Sequence, residues 1–316
     1  MSITGTRVIG LGHYQPSKVL TNEDLSRMVD TNDEWIQSRV GIRERRIAEN
    51  ESVADMAFFA AEKALAAAGL TSGDIDLVVV ATCSAIDRVP NTACRVAERL
   101  GVASPAAYDI NTACSGFSHA LATADHAIRA GAATKAIVIG VEKLSDFTDW
   151  TDRSTCVLFG DAAGAAVLTA TAEGEEPGVG PVVWGSVPHM SDAVRIEAAH
   201  PFIAQEGQTV FRWAITTLAP LARKAAERAG VSMDDITAFV AHQANLRIIE
   251  GIAKKLNAPN AIIAADVVES GNTSAASVPL ALSKLAERGD IKSGDPVLLF
   301  GFGGGLTYAG QVIRCP

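Results

Sequence analysis

The chain has 316 residues, 27 Lys and Arg against 36 Asp and Glu, and a formal net charge of −9. That length suits two domains or one double domain, and the acidic balance argues against nucleic acid as a partner. The longest unbroken aliphatic run, Leu77 to Ala81, falls far short of the roughly 20 residues that span a membrane, and Met1-Ser2-Ile3-Thr4-Gly5 lacks the order of an export leader, so a cytoplasmic protein is expected.

In chain order, Val53 to Ala68 is Ala-rich and ends at Gly69, a pattern that predicts a helix with a left-handed cap. Asp76 to Ala81 reads as a strand covered on both faces. Ala107 to Ile110 is strand-like, and from Cys114 to about Arg129 the residues Phe117, Leu121, Ala124 and Ile128 recur at helical spacing. Lys135 to Val141, Thr237 to Ala241 and Val297 to Gly301 are further aliphatic strands. Helices alternating with buried strands imply α/β layering.

The pattern repeats. Gly69 and its flanks match Gly230, Asn111-Thr112-Ala113-Cys114-Ser115 lies over Asn272-Thr273-Ser274-Ala275-Ala276, and Ala136 to Gly140 falls on Val297 to Gly301. All three matches share an offset of 161 positions. The reading is two copies of one unit, 1–170 and 171–316, related by a pseudo-twofold axis in a helix–sheet–helix–sheet–helix body. The copies differ where chemistry is expected: Cys114 stands against Ala275, and His242 against Ala81.

Cys114 follows a strand and opens a helix, where free N–H groups and the helix dipole are expected to lower a thiol's pKa and make it a nucleophile. The other cysteines, Cys83, Cys94, Cys156 and Cys315, lack that placement and read as packing or surface residues. With no C-x-x-C pair and no His-x-x-x-His, neither a disulfide frame nor a metal site is expected. His242 ends a strand, the place where ligands collect in α/β sheets. Asn272 reads either as a helix cap or as an amide donor to an oxyanion. Gly303-Gly304-Gly305 reads either as a tight hairpin or as backbone N–H groups brought close to a substrate oxygen.

The segments Asn111 to Phe117, His242-Gln243-Ala244-Asn245-Leu246-Arg247, Gly271-Asn272-Thr273-Ser274 and Gly301 to Gly305, with Asp33-Glu34-Trp35-Ile36 upstream, resemble the motifs of β-ketoacyl-[acyl-carrier-protein] synthase III across essentially the whole chain. The resemblance implies a thiolase-like fold, usually a homodimer, without a metal or redox cofactor. It implies that a short acyl-CoA primer is condensed with malonyl-acyl-carrier protein, with loss of CO2, to begin fatty acid synthesis.

On this resemblance Cys114 carries the acyl group, the N–H groups of Cys114 and Gly304 form the oxyanion hole, and His242 and Asn272 hold the malonyl thioester carbonyl. Trp35, Arg39 and Arg153 match CoA-binding positions, and Arg212, Arg247, Lys254 and Lys255 a carrier-protein docking patch. Phe159 and Val89 fall to the acyl pocket. Val89 stands where some members carry a bulky aromatic crossing the dimer interface, so longer or branched primers are expected. The departure Ala162, where glycine is common, is read as tolerated.

The alternatives are a priming ketosynthase of a polyketide pathway, a degradative thiolase and a Cys-His thioester hydrolase. A thiolase needs a second catalytic cysteine near its end, and the late Cys315 directly precedes Pro316.

Overall fold

The computed structural model describes residues 5–316; the first four, on which part of the leader reading rests, lie outside the described residues. Ten strands form two five-stranded sheets. The first contains β1 (Thr6–Tyr14), β2 (Leu77–Ala81), β3 (Ala106–Ile110), β4 (Lys135–Lys143) and β5 (Asp161–Ala170), in the order β1-β5-β4-β2-β3. The second contains β6 (Val183–Gly185), β7 (Ala238–Ala241), β8 (Ile262–Ile263), β9 (Pro296–Gly303) and β10 (Thr307–Arg314), in the order β6-β10-β9-β7-β8. Strand for strand the orders correspond, and so do the directions: the first three of each sheet pair antiparallel and the last two join in parallel.

Burial explains why these segments are strands. In β2, Val78 and Val80 face one cluster with Met56, Ala60 and Ala64 of the helix Val53–Ala68, while Leu77, Val79 and Ala81 face another with Phe117, Leu121 and Val278. A strand covered on both faces has no polar side, which produces the uninterrupted aliphatic run.

The helices Gly116–Arg129 and Ser277–Glu287 supply the layer between the sheets. The helices Gly207–Arg228 and Leu246–Leu256 cover the outer face of the second sheet through Trp213, Leu218, Ile248 and Ile252. The body is thus five layers, α-β-α-β-α, the thiolase-like architecture.

The central layer is very close-packed. A Cβ on Gly164 of β5 would lie 2.6 Å from the backbone nitrogen of Leu280, and one on Gly140 of β4 would strike the carbonyl of Ala275. Sheet and helix therefore meet backbone to backbone, which only glycine permits. A fourth cluster (Leu25, Ile36, Val40, Ile42, Leu158, Phe159 and Ile249) fastens the segment near residues 20–42 over the mouth of the site described next. Among the described residues no helix is long and apolar enough to cross a membrane.

Candidate active site

Two tight turns meet where the halves face each other. Ala113–Ser115 and Ser274–Ala276 are 3-10 turns, each leading into one of the two central helices. Each turn begins with a non-glycine residue in the left-handed region: Ala113 at φ 45° and Ser274 at φ 45°. Such conformations are strained and cluster at functional sites. Cys114 therefore sits on a tight turn two residues before the helix rather than on the helix itself.

A cavity of about 220 Å3 is lined by Cys114, His242, Asn272, Gly303, Gly304, Phe159 and Phe302, among others. The structure thus brings together all four residues read as catalytic. The glycine turn joins β9 to β10 as a hairpin, the first of its two readings, and it also walls the cavity. A Cβ on Gly303 would lie 2.8 Å from Cys114 Sγ, so only glycine lets this wall approach the thiol. The backbone N–H groups of Gly304 and of Cys114 itself favour the thiolate form of this sulfur.

The thiol's pKa runs against the sequence expectation. Burial raises it, the Glu142 carboxylate adds to the rise, and the hydrogen bonds from Ser274 and the two backbone N–H groups pull the other way without overcoming it. Desolvation outweighs the field at the helix start, so the resting group is the thiol.

His242 is buried with its Nδ1 2.8 Å from Ser277 Oγ. Desolvation lowers its pKa to about 3, which keeps the imidazole neutral. Asn272 is neither simply a cap nor simply a donor. Its Oδ1 accepts the Ser274 N–H at 2.9 Å, its own N–H donates to Leu158 and its carbonyl accepts from Gly160. The oxygen is committed, and the amide nitrogen is left to donate. A neutral imidazole and a side-chain amide thus share one cavity with the Cys114 thiol.

Other candidates gather at the rim. The guanidinium of Arg153 lies 4.3 Å and that of Arg39 5.9 Å from the ring centre of Trp35. Val40 and Ser154, their sequence neighbours, line the cavity itself. Arg247 stands over Phe211 at 5.5 Å, next in sequence to the exposed Arg212. Lys254 and Lys255 are exposed on the last turn of the same helix, about 10 Å further along its axis.

A second cavity of about 700 Å3 reaches Cys114 as well, lined by Cys83, Ile86, Phe147, Phe159 and Ile203, among others. Val89 is 88% exposed and lines neither cavity, whereas its neighbours Ile86 and Arg88 line this one.

Cys83, read as a packing or surface residue, packs against the fourth cluster and does more besides. It lines this cavity, and its Sγ donates to Glu142 at 3.2 Å. Glu142, Ser274, Ser277 and Phe302 were not singled out either. The signal for Glu142 was a charged residue closing an otherwise aliphatic strand, the end at which ligands collect.

Two family models match the chain: 3-oxoacyl-[acyl-carrier-protein] synthase III over residues 108–188, and the C-terminal region of the same family over residues 226–315. β-Ketoacyl-[acyl-carrier-protein] synthase III 4 of Streptomyces coelicolor is 66% identical over 313 residues, covering 99% of both chains. The crystal structure of the priming β-ketosynthase from the R1128 polyketide biosynthetic pathway superposes with a TM-score of 0.95 at 39% identity, over 99% of this chain and 96% of that one. The crystal structure of 3-oxoacyl-[acyl-carrier-protein] synthase III from Aquifex aeolicus gives 0.92 at 41%, over 98% and 100%. This chain belongs to the β-ketoacyl-[acyl-carrier-protein] synthase III family.

Proposed function

We propose that the protein is an acyltransferase that begins fatty acid synthesis, condensing a short acyl-CoA primer with malonyl-acyl-carrier protein with loss of CO2. One observation carries the site assignment: Cys114 and Gly304 share a cavity with His242 and Asn272, each of which has its other polar atom engaged.

Cys114 attacks the acyl-CoA thioester, and the two N–H groups stabilise the tetrahedral oxyanion. After CoA leaves, the malonyl thioester carbonyl lies between His242 and Asn272. Negative charge grows on that oxygen as CO2 departs, so neutral donors bind the transition state better than the ground state. The carbanion then attacks the acyl-Cys114 thioester. The chain's own groups carry each step, and the reading assigns no metal or redox cofactor.

Trp35 offers a face for adenine, with Arg39 and Arg153 for phosphates. Arg212, Arg247, Lys254 and Lys255 offer cations to an acidic carrier protein. A homodimer is part of the proposal. The outer strand β3 has a partner on one side, and Ile86, 72% exposed, and Val89 project nearby. A second copy would cover them and bring Val89 to the acyl pocket. The likeness to the R1128 ketosynthase favours, as a second reading, priming of a polyketide carrier.

Intact-protein mass spectrometry with acetyl-, isobutyryl- and longer acyl-CoAs tests this. The wild type should gain one acyl mass, Cys114→Ala none, and malonyl-carrier protein should remove the adduct as a β-ketoacyl product. Equal labelling of Cys114→Ala would overturn the nucleophile assignment. Turnover of the acyl-enzyme without any malonyl acceptor would make it a hydrolase.

A further inference from the structure

Glu142 is a buried acid for which the reaction as described has no use. It ends β4 with no exposed side-chain surface. Its neighbours are hydroxyls, a thiol and amides. Ser84 Oγ donates at 2.5 Å, Thr82 Oγ1 at 3.2 Å, Ser274 Oγ at 3.0 Å, the Cys83 N–H at 3.1 Å and Cys83 Sγ at 3.2 Å. A carboxylate in such a place, with no cation against it, is expensive to keep without a reason. Burial raises its pKa, which makes it a stronger base than an ordinary glutamate.

Ser274 connects this acid to the nucleophile. Its hydroxyl donates to Glu142 Oε1, and the residue lines the larger cavity together with Cys114, whose thiolate form it favours. It belongs to the strained turn that answers, 161 positions on, to the turn bearing Cys114. The thiol is protonated at rest, as shown above, so its proton must leave before it attacks. His242, with its Nδ1 engaged and its pKa near 3, is a poor acceptor.

We propose that Glu142, acting through the Ser274 hydroxyl, takes the Cys114 proton during acylation and returns it after condensation. The inference rests on Cys114 being the nucleophile. In the first step the Cys114 proton passes to Ser274 Oγ as the Ser274 proton passes to Glu142. The Sγ–acyl bond forms, the acyl–CoA sulfur bond breaks, and CoA leaves as a thiolate that is protonated by water. Glu142 stays protonated through the acyl-enzyme. When the malonyl-derived carbanion attacks, the acyl–Sγ bond breaks, and the Cys114 thiolate recovers its proton along the same path. Over one cycle Glu142 is unchanged, and one proton is drawn from solvent for the departing CoA. Glu142 acts through Ser274 and is a positioning and proton-holding residue.

Single-turnover acylation of Cys114 by acetyl-CoA at pH 7, followed by mass spectrometry, distinguishes this relay from a merely repulsive or structural carboxylate. A repulsive charge predicts that Glu142→Gln, by removing it, speeds acylation. The relay predicts that Glu142→Gln and Ser274→Ala each slow it roughly 100-fold. It also predicts that the double variant is no slower than the slower single one, because both interrupt one path. The variants should approach the wild-type rate as the pH is raised through the thiol's own range, with Cys83 and Cys114 the ionisable groups facing Glu142. Unchanged or faster acylation in Glu142→Gln, or additive losses in the double variant, overturns the relay. Should Glu142→Gln not fold, Ser274→Ala decides alone, and an unchanged rate there overturns it. If the wild type carries no adduct on Cys114, the nucleophile assignment fails instead.

Discussion

The hydroxyl of Ser277 stands 2.8 Å from Nδ1 of His242 and also accepts the Gln243 N–H at 3.3 Å. Ser277 is buried, so its own proton needs an acceptor, and Nδ1 is the one in reach. That leaves the ring hydrogen on Nε2, the form that can donate to a developing enolate. Ser277→Ala should therefore slow malonyl decarboxylation about tenfold while acylation of Cys114 keeps its rate. Asn272→Ala removes a donor outright and should cost roughly 100-fold or more in the same half-reaction. Separate assays of the two half-reactions check both, and an equal loss in both would count against the division of labour.

Gly303 is set by the approach of the thiol. Gly303→Ala places a methyl group 2.8 Å from Cys114 Sγ. Overpacking of this kind destabilises by about 1–3 kcal/mol, and here it also displaces the nucleophile. A lower denaturant midpoint together with lost acylation is expected.

The pH dependence of stability carries a sign that can be read directly. The folded pKa of His242 is lowered from 6.5 to about 3. Between those values the unfolded chain binds the proton and the folded one does not, so the contribution is intact above pH 6.5 and is lost as pH falls toward 3. The loss is about 1.4 kcal/mol per pH unit. His242→Gln does not titrate, so its stability relative to wild type should improve by that slope from pH 6.5 to 5. Parallel curves by equilibrium denaturation would contradict it.

Trp35 should affect the donor and not the chemistry. Trp35→Ala removes the ring against which Arg153 packs at 4.3 Å. The KM for acyl-CoA should rise about tenfold, the weight of one lost stacking contact. Acyl-pantetheine, which has no adenine, should be used as before.

Val89 bears on the primer. Val89→Phe should shift preference from isobutyryl-CoA toward acetyl-CoA in competition assays, as the proposed homodimer requires. An unchanged ratio would remove Val89 from specificity.

The sequence spoke most clearly where one physical demand dominated. β2 is aliphatic because both its faces are buried, and Gly69 caps its helix at φ 65°, where a Cβ is strained. Cys114 and His242 stood out because the two copies of the repeat differ there, and Asn272 through the Gly271-Asn272-Thr273-Ser274 motif; all three line one cavity. What stayed hidden depended on contacts across the seam. The thiol's raised pKa follows from burial in a cavity walled by His242, Asn272, Phe302 and Gly303, which lie 128 to 189 positions further along the chain. Nothing local to Cys83 places it against Glu142, 59 positions on. The helix-start argument for a lowered pKa was sound locally and was outweighed by desolvation, which a linear reading does not register.

The backbone-to-backbone seam at Gly140 and Gly164 has a consequence for traffic. With the helix Ser277–Glu287 seated against β4 and β5, the two halves cannot part like a hinge without breaking this backbone-to-backbone contact. Substrate must thread in and product must back out along the rim near Val40, Ser154 and Val210, while the floor stays still. A long pantetheine-like arm suits that doorway, because it delivers its end to a fixed floor while its bulky carrier waits outside.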